Sequence, residues 1–336
     1  MSRVFIFCPA YLASGGPELL HQLCYELRKL KYDAQMIYVG FDKNKQQVPV
    51  AERFKAYRNP YNICYEDTIN NIAIIPETMY PLLKILKLSK KVFWWLSVDN
   101  YYNFFLNNFR EKCNNKLDHN IDIQLIIKAS EQNGNFFDHR VVHFVQSAYA
   151  LKHCKKLGID EKKIYYLSDY LNPIFIRKAS NYSEIVRENI VLYNPKKGYQ
   201  YTALLMQRAP HIKWISLFNM TPREMAQLLR RAKVYIDFGE HPGKDRIPRE
   251  AAISGCCILT SLRGAAAFEE DVPIPQEFKF EDNVNNCDQI LEKIEDIFAY
   301  YPKYSKSFEK YRECIRNEQV RFKMDTARIF AELVTD

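Results

Sequence analysis

An α/β fold of two Rossmann-like domains, with parallel sheets facing a cleft, is what this 336-residue sequence predicts. Three observations lead there. Short apolar strands alternate with amphipathic helices through both halves, the pattern of parallel sheets covered on both faces. The alternation lapses at 168–188, which has no clean period, and then restarts with a new strand and glycine turn. The length also exceeds what one hydrophobic core ordinarily serves.

The elements follow in order. RVFIFCPA (3–10) is a short apolar strand that stops at Pro9. In the next segment Leu19, Leu20, Leu23, Leu27 and Leu30 share one helical face, entered through a tight Ser14-Gly15-Gly16 turn with Pro17 in the first helical turn. Strands are expected at 33–40, 71–77, 90–98 and 140–147, the last followed by the helix AYALKHCKKLGI. The second series begins with a strand at 189–195 and continues with IKWISLF, KVYIDFG and CCILTS. Helices separate these strands, and Thr221 with Glu224 three residues on marks one helix start. The region 290–335 reads as two long helices broken near Pro302. The division expected is 1–175, 176–310 and a C-terminal helix at 311–336 that packs back on the first domain.

Composition narrows the functional classes. No apolar run is long enough to span a bilayer, and the N-terminal apolar stretch reads as a buried strand rather than a leader. Nine cysteines without a C-x-x-C pair argue against a disulfide framework and metal ligation, and for reduced thiols in a cytoplasm. The net charge of +8 lies in the first half, where 25 Lys/Arg face 17 Asp/Glu; residues 181–336 hold 23 of each. A basic, aromatic first half suits an anionic partner. Lys84, Lys87, Lys90 and Lys91, with apolar neighbours, are expected to touch an anionic membrane peripherally.

Four loops at strand carboxyl ends are placed for chemistry, because ligands of such sheets sit beyond that edge. They are Ser14–Gly16, Asn194–Gly198, Phe218–Met220 and Gly239–Pro248. In the last, Pro248 suits the first turn of a helix that presents Glu250, whose carboxylate can accept two hydrogen bonds from a vicinal diol. Lys244 and Arg246 can hold a diphosphate. His241 and Asp245 either contact a sugar or brace the loop.

At these residues the chain resembles the GT-B glycosyltransferases, particularly the retaining, nucleotide-sugar-dependent group. ASGGPELLHQLCYELRKLKYDAQMIYV looks like the family's opening strand, Gly-Gly loop and first helix. VVHFVQSAYALKHCKKLGIDEKKIYYLSDYLNPIF is similar to the end of its N-terminal domain, and MTPREMAQLLRRAKVYIDFGEHPGKDRIPREAAISGCCILTS to its donor-binding region. The resemblance implies a donor site of Gly15, Gly16, Lys196, Lys197, Asn219, Lys244, Arg246, Pro248, Arg249 and Glu250, with Glu250 on the nucleotide ribose. Asp99, His241 and Asp245 are the catalytic candidates. The family's other glutamate would fall at Pro242, so Glu240 and Asp245 are the residues to replace it. No D-x-D occurs in a strand-end loop, so the implied chemistry needs neither metal nor cofactor, only a nucleotide-sugar co-substrate. The acceptor class is a glycan or lipid-linked glycan of bacterial surface polysaccharide, and no nucleic acid partner is expected. An inverting transferase, an epimerase and a non-catalytic binding subunit of the same fold remain open readings.

Overall fold

A computed structural model describes residues 2–42, 47–112, 138–177 and 186–335. It separates into two compact units, residues 1–169 with 321–336, and residues 170–320.

The sheet of the first unit contains β1 (Arg3–Pro9), β2 (Asp33–Val39), β3 (Tyr61–Asn62), β4 (Asn71–Pro76), β5 (Lys90–Trp95), β6 (Val141–Val145) and β7 (Ile164–Tyr166). Their order is β3-β2-β1-β4-β5-β6-β7, with every pairing parallel. β4 is buried along its whole length, as expected of a parallel strand covered on both faces. Helices α1 (Gly15–Lys29), α2 (Leu82–Ile85), α3 (Val98–Lys112) and α4 (Ala148–Lys156) connect the strands. On α1, Leu19, Leu20, Leu23 and Leu27 are fully buried, whereas Leu30 is the exposed C-cap. The strand expected at 90–98 stops at Trp95 because Ser97 turns the chain, its Oγ accepting from Asn100 N at 3.2 Å as α3 begins.

The second unit repeats the plan with β8 (Glu188–Tyr193), β9 (Lys213–Ser216), β10 (Ala232–Asp237), β11 (Cys257–Ser261) and β12 (Lys279–Phe280), in the order β12-β11-β10-β8-β9. Its helices are α5 (Pro173–Arg177), α6 (Tyr199–Arg208), α7 (Pro222–Arg231) and α8 (Arg246–Ile253). Thr221 and Glu224 form the expected capping box on α7. The segment expected as a linker, 168–188, includes α5, and its residues 178–185 lie outside the described set. Beyond β12 run three helices rather than two: α9 (Cys287–Ala299), α10 (Tyr301–Lys306) and α11 (Glu309–Thr335). Pro302 occupies the first turn of α10, where a missing N–H interrupts no helical hydrogen bond, so it starts a helix instead of ending one. α11 gives Glu318 to the second unit and Phe330 to the first, where its ring lies 6.0 Å from Phe144.

Each strand order has one reversal. In the first sheet it lies between β1 and β4, whose carboxyl ends lead into Gly15-Gly16 and Glu77. In the second it lies between β8 and β10, leading into Lys196–Gly198 and Gly239–Asp245. The eight described cysteines are all unpaired thiols, six of them buried.

Glu77 is 3 % exposed and accepts from Leu96 N at 3.2 Å. Burial pushes its carboxyl up to about 8, only partly offset by backbone N–H donors. The folded chain therefore keeps a proton that the unfolded chain releases above the ordinary value of 4.5. Stability from this site is whole below that value and falls, by about 1.4 kcal/mol per pH unit at most, as pH rises toward the folded pKa. Glu77→Gln keeps an acceptor for Leu96 N. It should raise the melting temperature progressively between pH 5 and about 8; a pH-independent difference in calorimetry would contradict this assignment.

Candidate functional site

The carboxyl edge of the second sheet is assembled by three backbone contacts that only glycine permits. Gly198 has φ +59°, and a Cβ there would lie 2.5 Å from the Phe238 carbonyl. A Cβ on Gly239 would lie 2.5 Å from Lys197 Cβ, so the turn after β8 rests directly on the backbone after β10. Gly264, at φ +48°, brings the turn after β11 so close to His241 that a Cβ would sit 2.0 Å from its carbonyl oxygen. Ala265 N donates to that oxygen at 2.8 Å, and Ser261 Oγ donates to Gly239 O at 3.0 Å. By contrast, a Cβ on Gly40 or Gly158 would meet nothing within 4 Å.

Between these loops runs a chain of four charged side chains. Asp237 ends β10 at 3 % exposure and accepts from Tyr235 OH at 2.9 Å and Gly239 N at 3.3 Å. His241, 1 % exposed, places Nε2 3.7 Å from Asp237 Oδ1 and Nδ1 3.1 Å from Asp245 Oδ2. Lys197 Nζ closes the chain, 2.7 Å from the same Asp245 oxygen. Burial alone would lower the His241 pKa, but Asp237 and Asp245 outweigh it and raise the value above 6.5. Burial likewise works against the Asp245 carboxylate, yet His241 and Lys197 hold its pKa below 3.8. Two acidic side chains thus alternate with two basic ones.

Asp237, His241 and Asp245 also present ligand atoms within 4.8 Å of one another, close enough to grip one cation. Lys197 already supplies positive charge to that cluster. The four groups balance when His241 is protonated, which answers the cost of burying the two carboxylates.

The remaining candidates take distinct places. Asp245 is the N-cap of α8, which begins at Arg246, one residue earlier than the sequence suggests. Glu250 therefore lies just beyond the first turn rather than in it, and Pro248 sits where no intrahelical bond is lost. Arg246 Nε lies 3.9 Å from Glu250 Oε1, with both side chains about a tenth exposed or less. Lys244 and Arg249, also expected at the donor, both pair with Glu318. Lys244 Nζ lies 2.9 Å from Glu318 Oε1, and the fully buried Arg249 places Nη1 3.0 Å from Glu318 Oε2. Arg249 also donates to the carbonyls of Lys244 and Asp245, tying the loop to α11. Glu240 is exposed and paired with Arg263, and does not join the buried chain. Lys196 is exposed, its Nζ 5.6 Å from the Phe218 ring, and Asn219 beside it adopts a left-handed φ of 52°.

In the first unit, Gly15 and Gly16 are the first two residues of α1 and show no positive φ, so the expected tight turn is a helix start. A Cβ on Gly16 would lie 3.6 Å from Leu96 Cδ1, an ordinary contact. Asp99 is in the first turn of α3 and accepts from Tyr149 OH at 2.7 Å. Three further residues matter to these edges. Asp237 and Glu77 each follow an otherwise apolar strand, a signal visible in VYID and AIIPE. Glu318 carries no local signal, being 69 residues from the arginine it pairs with.

No family model matches the chain, and no curated protein does. Solved structures do match. A glycosyltransferase from Rickettsia africae ESF-5 aligns over 99 % of this chain and 97 % of its own, with TM-score 0.64 and 12 % identity. Sucrose-phosphate synthase from Thermosynechococcus elongatus covers 100 % of both chains at TM-score 0.65 and 13 % identity. Anabaena HepE in complex with UDP and glucose covers 99 % and 100 % at TM-score 0.66 and 9 % identity. The fold is GT-B. That is the fold class read from the strand–helix alternation, and two all-parallel sheets carry it here.

Two outcomes check the packing of this edge. Gly264→Ala should lose more than about 2 kcal/mol in denaturant unfolding, because its Cβ meets backbone rather than a movable side chain. Glu318→Ala removes the carboxylate that the buried Arg249 and the partly buried Lys244 share, and should cost about 3–5 kcal/mol. The charge chain also sets a pH window. Its His241 contribution is whole below 6.5 and lost as pH rises through the raised value; the Asp245 contribution is whole above 3.8 and lost as pH falls through the lowered one. NMR titration of His241 should give a midpoint above 6.5.

Proposed function

We propose that this protein is a glycosyltransferase that moves a sugar from a nucleotide-sugar donor to a glycan or lipid-linked acceptor, with retention of configuration and without a metal, in the assembly of bacterial surface polysaccharide. The observation that carries this reading is the placement of Lys197, Arg246 and Glu250 around the strand-order reversal of the second sheet. Ligands of open parallel sheets bind at that reversal. Breaking a glycosyl–phosphate bond leaves added negative charge on a nucleoside diphosphate. Lys197, Arg246 and the opening N–H groups of α8 supply fixed positive potential there. Glu250 accepts the ribose hydroxyls. The base lies against Phe218 and Asn219 in the loop after β9. UDP is the first nucleotide to test, since HepE is seen with UDP and glucose.

Lys197 is the reason to write the reaction without a metal: its ammonium occupies the Asp245 carboxylate that a divalent ion would need. The proline at 242, where the resembled group carries a glutamate, supports one second reading, a binding subunit that holds the donor without turnover.

The test is calorimetric titration and thermal shift with UDP, GDP, CMP and dTDP, followed by donor-hydrolysis and transfer assays. Glu250→Ala should lose about 1–3 kcal/mol of nucleotide affinity, the range for hydrogen bonds to a charged group. Lys197→Ala should lower turnover more than binding, and dialysis against EDTA should leave turnover unchanged. Full activity in both variants would remove the donor site from this edge. Nucleotide binding with no turnover on any acceptor would favour the binding subunit.

A further inference from the structure

The opposite edge of the first sheet carries a feature unrelated to donor chemistry. A cavity of about 820 Å³ opens at the amino ends of β1, β4, β5, β6 and β7, lined by Ser2, Asn71, Lys90, Val142 and Tyr165 among others. Six cations line it, Lys87, Lys90, Lys91, Arg140, Lys162 and Lys163, against one carboxylate, Asp160. They do not act alike. Lys91 is buried and donates to the Leu83 and Leu86 carbonyls, and Lys90 donates to Leu333 O at 2.9 Å. Arg140 grips Asp138 through two nitrogens. Lys87, Lys162 and Lys163 form no side-chain hydrogen bond or ion pair among the described residues, and are turned to the cavity and solvent.

Beside these lysines stand aliphatic side chains with no cover among the described residues. Ile69 is 80 % exposed and Leu88 60 % exposed, both on the cavity wall, and Ile85, 64 % exposed, ends α2 nearby. Lysines alone would suit any polyanion. Two bare aliphatics on the rim, with Ile85 exposed two residues before Lys87, suit one whose phosphates lie over hydrocarbon.

We infer that this edge is a docking surface for an anionic lipid bilayer, with headgroup phosphates entering the cavity against Lys87, Lys162 and Lys163, and Ile69, Ile85 and Leu88 entering the interface. No described helix is long and apolar enough to cross a membrane, so the contact is peripheral. Of the lysines marked in the sequence, Lys87 keeps this role, whereas Lys90 and Lys91 are spent on the protein's own carbonyls. The seven residues of β1 hold the Gly15-Gly16 edge about 23 Å from the lipid. A bilayer-anchored acceptor must then reach that edge through an extended glycan rather than at the headgroup.

The surface is independent of the donor reading and is tested apart from it. Wild-type protein, Lys87→Ser/Lys162→Ser/Lys163→Ser and Ile69→Ser/Leu88→Ser are floated with phosphatidylglycerol–phosphatidylcholine vesicles and with phosphatidylcholine alone. UDP-induced thermal shifts are recorded in parallel, and a heparin column serves as the soluble-polyanion arm. Wild type should float only with the anionic vesicles. The triple variant should partition about a hundredfold less, at about 1 kcal/mol per lysine. The aliphatic variant should lose the binding that survives high salt, where charge is screened. Both should melt within a few degrees of wild type and keep its nucleotide response, whatever that response is. Flotation absent in wild type, unchanged in the triple variant, or replaced by heparin binding alone would overturn the proposal.

Discussion

The second unit depends on one contact, the backbone of the turn after β8 lying directly on the backbone after β10. Gly198 and Gly239 create it from opposite sides. Lys197 is fixed by that contact, and its side chain then falls 2.7 Å from Asp245, the N-cap of α8. Gly264 adds a third turn against His241, so the imidazole is enclosed rather than left at a surface. Side-chain chemistry here is a consequence of backbone packing. Hydrophobic burial builds the sheet, but these contacts decide what stands at its edge.

Charge compensation does the rest. The loop 240–245 is followed by a helix whose only carboxylate, Glu250, lies one turn in, and the loop is held by two separate buried sets of ions. On one side Asp237, His241, Asp245 and Lys197 alternate in sign. On the other, Lys244 and Arg249 share Glu318. Buried ions are costly unless each has a partner, and removing one member strands the others. The loop is thus tied down on both sides, and Arg246 and Glu250 lie, largely buried, on the helix that follows it. Preorganised charge of this kind is worth more to a reaction than mobile charge of the same sign.

Much of this was legible in the sequence, and the boundary of legibility has physical reasons. Periodicity located the long strands because burial on two faces leaves a continuous apolar run, as in β4 and β5, but not the 15-residue α3. It missed β3, β7 and β12, which have only two or three residues and no full period. The charge cluster after β10 was readable as a strand-end loop opening a helix, and so was Glu250. The split within that cluster was not. Arg249 and Lys244 pair with Glu318 of α11, and a partner 69 residues distant leaves no mark on local sequence. Nor did the spacing of Gly264 announce that it closes on His241, since a positive φ and a close approach are tertiary facts.

The three glycines also fix how this edge can be rebuilt. A loop held by side-chain packing tolerates many sequences, because neighbours repack around each replacement. Here the neighbouring atoms at positions 198, 239 and 264 are carbonyls, amides and a Cβ, which have no rotamer to change. A library randomised across 239–245 would discard most of its members at its first codon, whatever diversity followed. Phe218, which is half exposed in the loop after β9, is by contrast a position where side chains can be exchanged against solvent.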